Sequence, residues 1–248
     1  MSDATRPRKG SALTVGDVPP NAATRTQHAI RLLVLLRVCG DPVGGSDPAG
    51  MAQVIRSERR LQALDFWLRN PDYLADELVT AVEAGALDAG YLAVAEGLLT
   101  DPEPAWHHYP MPKWFYGAYE EVDDAFAILQ AYGLGLVRRR GVPPKPLRNQ
   151  FFLTEFGAEK ADELAATDVL SWYSQQAQLV HKVAGTDSGT KLKERQYLQD
   201  EYADAVWGTT IGSIGEQVTQ RLALLSQTAP AAGATPETTG GIADETLE

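Results

Sequence analysis

Gly133-Leu134-Gly135-Leu136-Val137-Arg138-Arg139-Arg140 and, beyond a proline-rich turn, Gln150-Phe151-Phe152-Leu153-Thr154-Glu155-Phe156-Gly157 decide how this chain is read. Glycine is the usual residue just past a helix end, so Gly133 closes the apolar stretch before it. An extended arm follows. Pro143, Pro144 and Pro146 fix φ and stiffen the tip, and a second arm runs into a threonine placed to cap a new helix. Arg138, Arg139, Arg140, Lys145 and Arg148 place five positive charges within eleven residues of this hairpin.

A helix, a charged hairpin and a capped helix in that order are the sequence form of a winged helix-turn-helix. Outward from it, the predicted fold is mostly α, of the α+β class. Gln27 to Cys39 is apolar nearly all round and stops at Gly40, which predicts a buried first helix. Leu61, Leu64 and Leu68 share one face of a helix over residues 58–69. Asn70-Pro71-Asp72 closes it and opens the next, because Asn caps, Pro suits the first helical position and Asp complements the positive helix end. Leu87 to Leu99 reads as a helix weakened by Gly90 and Gly97, and residues 101–113, with four prolines, as a loop. Tyr116 to Tyr132 reads as an amphipathic helix with Val122, Phe126 and Leu129 inward, and Thr154 to Thr167 as one with Phe156, Ala161 and Leu164 inward. Three more helices are predicted over 168–183, 191–207 and 211–225. The predicted organisation is a tail over 1–25, a winged-helix domain over 26–167, a helical extension over 168–227 and a tail over 228–248. Both tails hold too little apolar material to fold.

The chain of 248 residues is 44% hydrophobic, enough for a sizeable core, and carries a formal charge of -11. Residues 1–26 hold four basic and two acidic residues, while 228–248 hold four acidic and none basic. Any nucleic-acid contact must therefore be local, since phosphate binding needs a basic face. No run approaches the length of a membrane span, and Met-Ser-Asp-Ala-Thr-Arg is no signal core, so a cytoplasmic protein is expected. Cys39 is the single cysteine, which excludes an intrachain disulfide and a cysteine-based zinc site.

Two readings compete for the hairpin charges: contact with backbone phosphates without sequence choice, or a solvated hairpin protected from edge pairing. The preceding helix is the one that reads DNA in helix-turn-helix proteins, but Glu120, Glu121, Asp123 and Asp124 crowd its start. Carboxylates there oppose phosphate, so base readout by that helix is not expected. His107-His108 lacks a metal-ligand spacing and reads as a polar loop pair. No nucleophile elbow, phosphate loop or dinucleotide fingerprint is present, so neither an enzyme nor a bound cofactor is expected. The aromatic run Trp106, Trp114, Phe115, Tyr116 and Tyr119 reads either as a partner-docking patch or, preferred here, as the filling of a core seam. Ile211, Ile214, Val218, Leu222 and Leu225 form an apolar stripe beyond the hairpin, read as an interaction face for a dimer or a partner.

Arg59-x-Leu61-x-x-Leu64-Asp65-Phe66-Trp67-Leu68-Arg69-Asn70-Pro71-Asp72-Tyr73-Leu74, with Phe115-Tyr116-Gly117-Ala118-Tyr119-Glu120 and Gly135-Leu136-Val137, resembles a known class. It is similar, over residues 27–165, to the winged-helix middle component of bacterial ABC-three-component systems, which are encoded beside SMC-like ATPases and implicated in anti-phage defence. The long 86–113 insert and the helical C-terminus depart from that pattern. The resemblance implies a non-catalytic adaptor that binds a coiled-coil SMC-like ATPase within a DNA-associated complex. The alternative is a stand-alone transcription regulator, dimeric through its C-terminal helices.

Overall fold

The computed structural model describes residues 24–100, 110–141 and 148–228. His107, His108, Lys145, the three hairpin-tip prolines and most of both tails lie outside these residues. The chain is mostly helical, about 60% helix, with a small antiparallel sheet.

Helix α1 (Arg25–Cys39) opens with a capping box: Thr24 Oγ1 accepts from the Gln27 amide at 3.2 Å, and the Thr24 amide donates to Gln27 Oε1 at 2.8 Å. Helix α1 and its cap thus fall partly inside the stretch predicted as a tail. Strands β1 (Asp41–Pro42) and β2 (Met51–Ile55) lead to α2 (Glu58–Arg69) and α3 (Pro71–Glu83), with Pro71 at the first helical position as expected. The insert supplies α4 (Gly90–Thr100), and a hairpin of β3 (Lys113–Trp114) and β4 (Gly117–Ala118) begins at its end. Then come α5 (Asp123–Ala131), β5 (Gly135–Arg140), β6 (Arg148–Thr154), α6 (Glu155–Ala165), α7 (Asp168–Ala184), α8 (Gly189–Gln196), α9 (Asp200–Asp204) and α10 (Gly215–Thr228). The main sheet has the order β1-β2-β6-β5, antiparallel throughout.

The hairpin flanks behave as their residues dictate. Gly133 sits at φ 69, and Leu134 donates back to the Leu129 carbonyl at 2.8 Å, which ends α5 in a left-handed turn that glycine adopts without strain. At the far end Thr154 Oγ1 accepts from the Gly157 amide at 2.8 Å, capping α6. A Cβ at position 157 would lie 2.1 Å from the Leu134 carbonyl oxygen, so this glycine lets the helix start seat against the hairpin root.

Three predicted helices change shape. The stretch 116–132 is helical only from Asp123, because Lys113 and Trp114 pair with Ala118 and Gly117 and draw the preceding residues into a hairpin. The stretch 191–207 breaks at Tyr197 into α8 and α9. The stretch 211–225 becomes helical at Gly215; Ile211 and Ile214 precede the helix, and the Ile214 amide donates to Asp72 Oδ2 at 2.8 Å. Phe156, expected inward, is half exposed.

The stripe read as an interaction face is core. Ile211, Ile214, Val218 and Leu222 are 3%, 1%, 1% and 8% exposed, and Leu225 is partly buried against the same cluster. Helix α10, which carries Val218, Leu222 and Leu225, packs on α3 and α4, and Arg221 locks it down by pairing with Asp76 at 2.5 Å and with Glu83. Helices α7 and α8, beyond residue 167, are likewise built into the main core: α7 lies against α1 and α2, and α8 against α2. An apolar stripe at helical spacing must be covered by something, and here the chain covers its own.

Candidate nucleic-acid interface and the cleft beside it

The β5–β6 register pairs Arg138 with Gln150, Arg139 with Asn149, and Arg140 with Arg148. Side chains alternate between the two faces of a strand pair. Arg138, Arg140 and Arg148 therefore share one face, and Arg139 shares the other with Asn149. All four arginines are exposed, and among the described residues none is paired with a carboxylate. Direct opposition of Arg140 and Arg148 costs stability in isolation, since like charges across a strand pair repel. An anion between them would reverse that sign. Lys145, the fifth predicted charge, lies outside the described residues.

Helix α5, ahead of the hairpin, presents Asp123 and Asp124 to solvent at its start, and Arg25 pairs with Asp124 at 3.0 Å. Glu120, expected on that first turn, instead points toward a buried group of charges. Arg31 Nε donates to Asp65 Oδ1 at 2.5 Å and Arg31 Nη2 to Asp65 Oδ2 at 3.3 Å. Arg69 reaches Asp65 Oδ2 at 3.4 Å and also bonds Glu120 Oε2. Burial by itself would raise the Asp65 carboxyl, but the Arg31 and Arg69 guanidiniums overcome it and hold the pKa at about 2. Arg31 is held charged, whereas burial and the neighbouring Arg31 charge push Arg69 down. His28 is lowered, chiefly by burial and then by Arg31.

His28, Asp65 and Glu120 bring ligand atoms within 4.8 Å of one another. The carboxylate oxygens there already accept from two guanidiniums, so a metal ion would meet two positive charges inside the same space. The arrangement suits an internal ion network better than a cation site. Cys39 is equally unsuited to chemistry: burial pushes its thiol up to about 12, and its Sγ faces the Ala177 carbonyl at 3.5 Å.

Beside the hairpin lies a cleft of about 760 Å3 between the start of α2, the β3–β4 hairpin and α8. Asn149 Nδ2 donates to Glu58 Oε2 at 3.1 Å, so Glu58 joins the hairpin base to the cleft wall. Trp114 ends β3, Phe115 and Tyr116 form the turn of the β3–β4 hairpin, and the three are 50%, 65% and 68% exposed. Trp207, 62% exposed, meets the Phe115 ring edge to face with centroids 5.3 Å apart. These rings are not the seam filling expected from the sequence; the two-residue turn between β3 and β4 thrusts them outward. Arg59 lies over the Tyr116 ring, 5.3 Å from its centroid, and donates to Thr190 Oγ1 at 2.9 Å. Lys193 forms part of the inner wall, its Nζ donating to the Ala118 carbonyl at 2.7 Å and to Tyr202 Oη at 3.2 Å. Burial lowers that ammonium to about 7, with the Arg59 charge adding to the effect.

No helix among the described residues is long and apolar enough to cross a membrane. No protein-family model, curated protein or solved structure matches this chain.

Proposed function

We propose that this chain is a non-catalytic winged-helix adaptor of a larger DNA-associated complex, touching the nucleic-acid backbone through its β5–β6 hairpin. The observation that carries the reading is the cluster of exposed arginines, with Arg140 and Arg148 opposed and no carboxylate paired to them among the described residues. Such a cluster gains from a polyanion, because each neutralised phosphate releases condensed counterions. With the intervening α3, α4 and β3–β4 hairpin set aside, α1, β2, α2, α5, β5 and β6 follow in the order expected of a winged helix, with β6 between β2 and β5, which supports that name for the core. Acidic residues at the start of α5 argue for contact without base readout. The resemblance to the middle component of ABC-three-component systems adds a partner, an SMC-like ATPase, and a setting in anti-phage defence in the cytoplasm. The dimeric-regulator alternative loses its support, because the stripe that was to join two copies is inside the chain.

Arg138→Ala, Arg139→Ala and Arg140→Ala together are expected to weaken binding to two DNA duplexes of unrelated sequence by the same factor. Binding isotherms across salt should show the slope of log affinity against log salt flattened by about three, roughly one per lost phosphate contact. Thermal unfolding should barely move, since all three side chains are exposed. Equal binding by wild type and triple variant, or loss on one sequence only, would sink the reading.

A further inference from the structure

Four large aromatic side chains stand exposed at and beside the cleft: Trp114, Phe115 and Tyr116 line it, and Trp207, on a neighbouring loop, packs edge to face on Phe115. Phe115 contacts Tyr116 at 4.8 Å and Trp207 at 5.3 Å between ring centroids. The loop carrying Trp207 is fastened to the same hairpin: the Gly208 amide donates to the Lys113 carbonyl at 2.7 Å, and the Lys113 amide to the Thr209 carbonyl at 2.9 Å. The patch is therefore held by backbone bonds before anything binds. A rigid aromatic cluster of this kind is the usual centre of a protein interface, because it offers large area at small entropic cost. The cleft beneath it, at about 760 Å3, lies within the roughly 300–1,000 Å3 range of built ligand clefts.

Its charge says what kind of visitor it takes. Of the two cations of the wall, Lys193 is buried against the Ala118 carbonyl and Tyr202, while Arg59 is exposed and already engaged with the Tyr116 ring and Thr190. Glu58 and Glu121 remain in the wall, Glu121 exposed, with exposed Asp123 and Asp124 following it on α5. A phosphate backbone brought here would face carboxylates, whereas a lysine or arginine would be drawn in. Arg59 over Tyr116 shows that a guanidinium sits comfortably on these rings.

We propose that this cleft is the docking site for a short basic segment of a protein partner, which seats an apolar side chain among Trp114, Phe115, Tyr116 and Trp207 and sets lysine or arginine against Glu58 and Glu121. The assignment rests on the adaptor reading for its purpose, and on observations separate from the hairpin arginines. It deepens that reading by giving the chain two faces, a basic hairpin for nucleic acid and an acidic aromatic cleft for a partner.

The test is selection of random twelve-residue displayed peptides against the intact chain, followed by titration of the enriched peptides as fluorescein conjugates. Enriched sequences should carry Lys or Arg beside Leu, Phe or Trp. Their binding should fall by about tenfold or more in the Phe115→Ala, Trp207→Ala double variant, the loss expected of hot-spot truncation. Glu121→Lys, on an exposed side chain that folding does not use, should weaken the same peptides and keeps the test alive if the double variant misfolds. The triple hairpin variant should bind them as wild type does, so a failure of the DNA contact and a failure of the cleft are told apart. No enrichment, enrichment of acidic peptides, or full binding by both cleft variants would overturn the proposal. So would tighter binding at the cleft by a thymidine oligonucleotide, by a peptide of residues 2–20 of this chain, or by a second copy seen in light scattering.

Discussion

Asp65→Ala is expected to lower the stability of this protein by about 3–5 kcal/mol, the range found when one partner of a buried ion pair is removed. Asp65, Arg31 and Arg69 side chains are 3%, 1% and 5% exposed. The lost carboxylate is the fully buried one that both guanidiniums reach; Arg69 keeps Glu120, and Arg31 is left with the same carboxylate at 3.9 Å. Glu120→Ala should cost distinctly less, since its side chain is 33% exposed and water can reach the space it vacates. Denaturant unfolding of the three proteins gives the comparison, and equal stability of Asp65→Ala and wild type would contradict the network. Its pH dependence has a fixed sign. An unfolded aspartate titrates near about 3.9, while the folded Asp65 is held at about 2. The folded state therefore binds fewer protons across that interval, so the contribution is whole above about pH 4 and fades as pH falls through 2. The gap between wild type and Asp65→Ala should narrow over that window and stay constant above it.

Val218→Asp should cost about 3 kcal/mol or more and release α10 from α3 and α4. The position is 1% exposed, so the carboxylate must either ionise without a partner or enter the core protonated and unbonded. Gln220→Asp, two residues on and exposed, supplies the control and should change stability by no more than about 0.5 kcal/mol. Limited proteolysis should cut the Val218 variant first around α10, while the control resists. A Val218 variant as stable as wild type but altered in oligomeric state would restore the stripe to an interface role.

The parts of this fold written in local chemistry were legible from the residues. Gly133 demands a left-handed turn, Thr154 caps a helix, Pro71 starts one, and the two arms flanking the proline-rich turn pair as strands. The parts set by distant partners were not. Val122, Phe126 and Leu129 follow the helical period whether the helix begins at Tyr116 or at Asp123, and pairing of Lys113 with Ala118 decides the matter. Nothing local separates an apolar stripe that meets its own chain from one that meets another, which is why Ile211 to Leu225 was misplaced. The aromatic run failed for the same reason in the opposite direction. One signal of the buried charges was present: Arg31 stands inside a helix that is otherwise apolar nearly all round, and a charge there needs a partner. Its partner, Asp65, follows on the next helix, looking in sequence like an ordinary surface residue.

The burial of α1 against α7 also bears on how the protein is made. A ribosome delivers α1 first, apolar on almost every side, and the helix that covers it emerges only after the sheet, the hairpin and α6 have been synthesised. At about 5–20 residues per second, that wait is on the order of ten seconds. During it the side of α1 that faces α7 stays uncovered even where α2, α5 and the sheet can already pack on the helix, a natural client for holding chaperones, and a message truncated before α7 would yield a product that never hides that side.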